Sequence, residues 1–318
     1  MGYKLAGFHH LGGVEIDPTL VDLYERNHSP QYIYHQDIRD FNDRQDLPDE
    51  LFNLDLLDGS PPCSSFSSAG ARERFWGVER KFREGQTDQT LDDLAMVFVQ
   101  TIAKLKPRIC LLENVEGLIH GNAKMYAQEI YDGIRAAGYR VQLFRLNSAT
   151  MGVPQRRKRV FFIGLRNDID RPPLRFQFSE PPIVYGKIRT NAVGPELTPE
   201  TTDIWQKRRP GDLNFHHIHS RISGKNKRFS LKFVFDDLVA PVLLAGNDSR
   251  PVRWDSPHRI PDEELFYITS WPQDYDFGDQ NPQYVMGMSV PPVMMAMIAA
   301  EIKKQWIDGT YGTGKKVL

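Results

Sequence analysis

Cysteine is scarce: 318 residues carry two, Cys63 and Cys110. That excludes a disulfide-stapled scaffold and suits a reducing compartment, so a cytoplasmic location is expected. Long apolar runs are scarce too, with nothing that reads as the ~20-residue stretch a membrane span requires. The opening MGYKLAGFHH has no basic region followed by an apolar one, so it does not read as a secretory signal. Charge of one sign is not in excess either: the net charge is −1, and global charge alone implies no polyanionic partner. Repeats and low-complexity tracts are absent. The HHIH stretch (His216, His217, His219) has no cysteine or carboxylate at ligand spacing, so no metal is expected there.

What is present is ordinary in bulk, 40% hydrophobic and 25% charged, enough for a sizeable core and two domains. The first half alternates strand and helix patterns. LGGVEID (11–17), NLDLLDGS (53–60), RICLLENV (108–115), YRVQLFRLN and RVFFIGLR read as strands. PTLVDLYERN, LDDLAMVFVQTIAKL (91–105) and AKMYAQEIYDGIRAAG read as helices. Such alternation predicts an α/β fold, a doubly wound, mostly parallel sheet whose ligands bind beyond the carboxyl ends of the strands. Near residue 170 the pattern changes to a proline-rich stretch and then to turn-rich, basic sequence. From 204 to 260 there are eleven Lys or Arg against five acids, as expected of a phosphate-binding face or of a solvated surface. The expected division is a first domain over 1–170, completed by 278–318, and a second over 171–277. VPPVMMAMIAAEIKKQWI reads as an amphipathic helix returning to the first domain.

Four places carry candidate chemistry. In GSPPCSSFSSAG, Cys63 follows a strand, and Pro61 and Pro62 stiffen its loop; an exposed, rigidly held thiol suits a nucleophile. In ENVEGL, Glu113 ends another strand at the same edge of the sheet and could act as an acid or hydrogen-bond donor. In GVPQRRKRVFFIG, Arg157 and Arg159 fall two apart, which along an extended segment puts both guanidiniums on one face. Glu15 and Asp37 end two neighbouring strands, where acids of such sheets hold ribose hydroxyls and an adenine amine.

Taken in order, these stretches resemble the cytosine-C5 DNA methyltransferases of bacterial restriction–modification systems. The Pro-Cys loop, the Glu-Asn-Val motif, the Gln-Arg-Arg-x-Arg motif and GMSVPPVMMAMIA (287–299) follow one another over nearly the whole chain. The resemblance implies a methyltransferase fold that uses S-adenosyl-L-methionine and double-stranded DNA, with a target-recognition domain in 171–277. It implies that Cys63 adds to C6 of a flipped cytosine, that Glu113 holds N3 and the exocyclic amine, and that Arg159, with Arg157 nearby, contacts O2. It further implies that Glu15 takes the cofactor ribose and Asp37 its adenine amine. Ile16 and Ile38 would pack on the adenine, and Pro61, Ser289 and Val290 would complete the pocket. The long basic loop ARERFWGVERKFREGQTDQT would close over DNA. Cys110, mid-strand, is expected in the core.

One departure stands out. The family's opening strand and Phe-x-Gly-x-Gly-Gly loop have no counterpart before LGGVEID, and the glycine-rich C-terminus lacks an apolar strand to replace them. That strand would be central, so its absence is expected to open two strand edges. The reading favoured is that Met1 is an internal methionine; the alternative is an incomplete or non-catalytic DNA-binding subunit whose partner chain supplies the missing motif. A tRNA methyltransferase of the same fold is a third reading, disfavoured by the full-sized basic segment.

Overall fold

The computed structural model describes residues 1–61, 93–121, 123–224, 231–246 and 249–309. Cys63, Pro62, the basic loop that follows them and the end of the C-terminal glycine-rich stretch lie outside the described residues. In chain order the first elements are α1 (Gly2–Leu5), β1 (Gly12–Glu15), α2 (Pro18–His28), β2 (Tyr32–His35), α3 (Ile38–Asp43) and β3 (Leu56–Gly59). Then come α4 (Leu94–Leu105), β4 (Ile109–Val115), α5 (Ala123–Ala136), β5 (Tyr139–Asn147), β6 (Gln155–Arg156) and β7 (Lys158–Arg166). The remainder holds α6 (Pro199–Gln206), α7 (Phe215–Ser223), β8 (Phe233–Val234), β9 (Ala240–Pro241), β10 (Val252–Arg253), α8 (Asp262–Thr269), α9 (Pro282–Met288) and α10 (Pro292–Ile302).

The chain forms two compact units. One combines 1–9, 147–157 and 177–300; the other combines 10–146, 158–176 and 301–318. The second holds the α/β sheet. Its strands run in the order β3-β4-β7-β5, with β3 parallel and β7 antiparallel to β4. β4 is apolar from Ile109 to Leu112 and buried from Ile109 to Asn114, as befits a strand covered on both faces. On one face Cys110 and Leu112 of β4 and Val160 and Phe162 of β7 pack under α4 and α5, through Phe98, Ile102, Ile130 and Ile134. Gly164 of β7 is required there: a Cβ would stand 2.6 Å from the Cys110 sulfur. Asp17 starts α2 by accepting the Thr19 amide at 2.8 Å, with Pro18 in the first turn where its missing N–H costs nothing.

Among the described residues the expected opening in the sheet is seen. β1 and β2 form a separate two-stranded parallel sheet, so among the described residues β1 and β3 are both edge strands. An apolar cluster of Phe41, Leu47, Leu51 and Leu105 packs against both Val14 of β1 and Leu57 of β3, holding the two sheets in one unit.

The other unit is built from short pieces. β6 pairs with β9 and β8 with β10, two residues each. Around β8 and β10 a core forms from Leu197, Phe215, Ile218, Leu231, Phe233 and Val252. Glu264, fully buried, accepts from Tyr185, from the Thr190 amide at 2.8 Å and from Arg253 at 2.5 Å. Such a buried charge is tolerable only when paired and hydrogen-bonded like this. α10 departs from the amphipathic expectation, being apolar nearly all round, with Met294, Ile298 and Ala299 fully buried. The stretch 282–307 is long and apolar enough by composition to cross a membrane. It is nonetheless broken at 289–291 between α9 and α10, and its burial is that of a core helix.

Candidate functional site

In the sheet-bearing unit, the carboxyl ends of β1 to β4 bring forward Glu15, Asp37, Pro61 and Glu113, as parallel sheets do. The best-defined part is Glu113. Its carboxylate meets the Arg159 guanidinium at 2.9 Å, with side chains only 11% and 14% exposed. The register explains the pair: Arg159 lies opposite Val115 across the β4–β7 ladder, and side chains two apart on β4 share a face. Burial pulls the Arg159 pKa down, and Glu113 opposes that pull. A half-enclosed carboxylate–guanidinium pair presents an acceptor and a row of donors side by side, which suits a heterocycle with a carbonyl and an amine.

Sequence reasoning assigns Asn114 no separate role, although it sits within the Glu-Asn-Val motif. Its amide donates to the Pro61 carbonyl at 3.5 Å and its Oδ1 accepts the Val115 amide at 2.8 Å. It therefore ties the loop after β3 to the end of β4. Gly59 serves the same junction: a Cβ would meet the Phe98 ring at 2.6 Å, so only glycine lets β3 approach α4 this closely.

Glu15 Oε1 accepts the amides of both Ile16 and Asp17, at 2.8 and 2.9 Å, leaving Oε2 without a hydrogen bond among the described residues. Burial raises the Glu15 pKa, and the two amides oppose the rise. Asp37 is more occupied. It caps α3 through the Arg39 amide at 2.8 Å and pairs with the Arg39 guanidinium at 3.1 Å. Arg39 in turn reaches Asp93 at the start of α4. Ile38 packs on the main core, which makes it part of the wall behind Asp37.

Arg157 requires a correction. Period-two alternation puts it on the same face as Arg159, but β6 and β7 are separate strands with different partners, and Arg157 sits at the break between them. It belongs to the other unit, 1% exposed, and donates to the carbonyls of Leu243 at 3.1 Å, Gly287 at 2.9 Å and Met288 at 3.1 Å. Its guanidinium fastens the segments around 243 and 287–288. Ser289 and Val290 follow directly, where Ser289 Oγ donates to the Val285 carbonyl at 2.7 Å and ends α9. His216, His217 and His219 lie on α7, and among the described residues no group of three His, Cys, Asp or Glu could hold a metal ion.

A sequence model described as the C-5 cytosine-specific DNA methylase family matches residues 1–304. A Type II methyltransferase of Haemophilus parahaemolyticus is 27% identical across 96% of this chain and 83% of its own. One of Arthrospira platensis is 26% identical across 95% of this chain and 81% of its own. The fold matches a solved prophage-encoded DNA modification methyltransferase of E. coli, with a TM-score of 0.66 at 17% identity over 96% of this chain and 94% of that one. It also matches a DNMT2 mutant of Spodoptera frugiperda, with a TM-score of 0.63 at 15% identity over 95% of each chain. A match of the family model over nearly the whole sequence places this chain among the C-5 cytosine-specific DNA methylases.

Proposed function

We propose that the protein transfers a methyl group to C5 of a cytosine in a specific duplex DNA sequence, acting in the cytoplasm as a methyltransferase of the kind found in restriction–modification systems. The observation that carries this is the enclosed Glu113–Arg159 pair beside a strand end tied down by Asn114. Cys63 would add as a thiolate to C6, making the ring electron-rich at C5. Glu113 would hold N3 and the exocyclic amine as charge builds, and Arg159 would donate to O2. C5 takes the methyl group; loss of the C5 proton then expels Cys63 and restores the ring. The target carbon is out of reach in a stacked duplex, so the nucleotide must turn out of the helix.

S-adenosyl-L-methionine would supply an electrophilic methyl group. The residues fit it in part. Glu15 Oε2 is available to accept ribose hydroxyls. Asp37 can take the adenine amine only by sharing the carboxylate that already holds Arg39. Ile16, Ile38 and Pro61 flank these two on the same unit, and Ser289 and Val290 are assigned to the pocket by the family motif alone. Arg157 is assigned to fastening the chain rather than to chemistry. Residues 171–277 are assigned to target recognition. The open edges of β1 and β3 support a further strand completing the sheet, supplied by upstream residues or, in the alternative, by a second chain.

The test is tritium transfer from labelled S-adenosylmethionine to duplex DNA of mixed sequence. Label at cytosine C5, lost in Cys63→Ala while DNA binding persists, is the expected result. Unchanged turnover in that variant would sink the mechanism. Transfer that appears only with upstream codons or a partner chain restored would assign the gap in the sheet to that source.

A further inference from the structure

Arg208 occupies a place that an isolated structural cation does not explain. Its Cζ lies 3.4 Å from the ring centroid of Trp205 and 5.2 Å from that of Trp254. Both indoles are held from behind. Trp205 Nε1 donates to the Arg253 carbonyl at 3.3 Å. Trp254 meets Phe235 at a tilt and Phe233 edge-on, each with ring centroids 5.1 Å away, within the core around β8 and β10. The guanidinium thus lies over the Trp205 ring with Trp254 beside it, against two anchored indoles.

Among the described residues no carboxylate lies within ion-pair distance of it. Asp255, the acid that acts on it electrostatically, is already paired with Arg189 at 2.7 Å. Burial accordingly depresses the Arg208 pKa. Nη1 spends one proton on the Trp205 carbonyl at 3.1 Å, and Nε is enclosed without a partner among the described residues. Nη2 makes no hydrogen bond to a described residue and is not enclosed, so it and the second Nη1 proton remain for a ligand. A permanent charge half-withdrawn from water, oriented, and left without an anion is costly unless something outside the chain completes it. Lys207 and Arg209 flank it, both exposed, in the basic segment.

We propose that Arg208 is a specificity-determining residue that reads a guanine of the target sequence, its two outward N–H groups donating to O6 and N7 in the major groove. The proposal rests on the DNA methyltransferase reading above and names a residue of its recognition segment. Two parallel donors on a rigid plane match the two adjacent acceptors of guanine, and only guanine offers both on one edge. Contact with two anchored indoles reduces the rotamer entropy that a flexible arginine would lose on binding. A phosphate contact needs charge but no such fixed plane.

The experiment is selection from a random-sequence duplex library by the full chain and by its Arg208→Lys and Arg208→Ala variants, with thermal unfolding as the folding control. The expected result is a wild-type motif containing a guanine whose preference falls about 10- to 100-fold in Arg208→Ala, at that base pair alone. Arg208→Lys, a point charge without the fork, should lose most of it too. Replacing that guanine by 7-deazaguanine should weaken the wild type, a readout that needs no variant to fold, and should leave folded Arg208→Ala indifferent. An unchanged motif in both variants would overturn the proposal. So would uniform weakening across sequences with the salt slope reduced by about one, the mark of a phosphate contact. A wild type that enriches no motif overturns it as well. A wild type that enriches a motif yet transfers no methyl group leaves this inference standing and removes the catalytic reading instead.

Discussion

The two cysteines separate by environment. Cys110 lies mid-sheet with no exposure, and burial pushes its thiol up to about 12. A thiol held neutral cannot act as a nucleophile at physiological pH. Folded Cys63→Ala protein should therefore take up no iodoacetamide at pH 8 and one equivalent after unfolding; labelling of the folded variant would place Cys110 elsewhere. The unfolded thiol ionises near its ordinary pKa and the folded one does not, so the neutral thiol's contribution is complete below about pH 9 and fades as pH rises towards 12. Glu113 and Arg159 are a different case, a pair in which each half excuses the burial of the other. Removing the acid in Glu113→Ala strands a buried guanidinium and should cost about 3 kcal/mol in denaturant titration, with methyl transfer abolished. Glu113→Gln keeps the shape and should cost much less stability while still losing at least about 100-fold in kcat. Equal stability losses in the two variants would mean that the charge is not what the site needs.

At the scale of elements, the α/β core is legible in the sequence. β4, β7 and α4 announce themselves through runs and periodicities that nearby residues determine. The open edges of β1 and β3 are legible as well, because among the described residues neither strand has a partner on that side. What escapes is set by distant residues. β6, β8, β9 and β10 are two residues each and exist only through their partners, so no local pattern marks them. Arg157 is misplaced by alternation carried across a strand break. Of the Arg208 cleft, the three-residue spacing from Trp205 is visible, but Trp254 comes from far along the chain. The position of Arg157 has a consequence. Arg157→Ala leaves the carbonyls of Leu243, Gly287 and Met288 without their donor and should cost about 3 kcal/mol or more. Its activity loss should track the unfolded fraction and recover under stabilising conditions, whereas that of Glu113→Gln should not. The sheet opening is checked by hydrogen exchange. Amides of β4, flanked by β3 and β7, should exchange at the rate of global unfolding. Those of β1 that face the gap should exchange orders of magnitude faster, and should slow if an added strand pairs with them.

At the scale of the whole molecule, a net charge of −1 and a pI near 6.8 hide an uneven distribution. The 204–260 segment carries a surplus of six positive charges, so the remainder of the chain is acidic by seven. Association with a polyanion depends on the charges within a Debye length of the bound surface, about 8 Å at physiological ionic strength, and hardly on the total. A near-neutral chain that binds through such a segment should behave as a strong cation towards DNA and as a neutral body elsewhere. Its affinity for random duplex should fall along a straight line in log salt, by at least about tenfold between 50 and 200 mM, if three or more phosphates are neutralised. Substituting Lys207 and Arg209, exposed and beside the Arg208 cleft, should flatten that line by about one for each phosphate no longer neutralised, and leave sequence preference alone. The same charge removed from the sheet-bearing unit, at exposed Lys124, should change neither. An affinity indifferent to salt would mean that the basic segment is a solvated face, and that recognition of DNA, if it occurs, is carried by another surface of the chain.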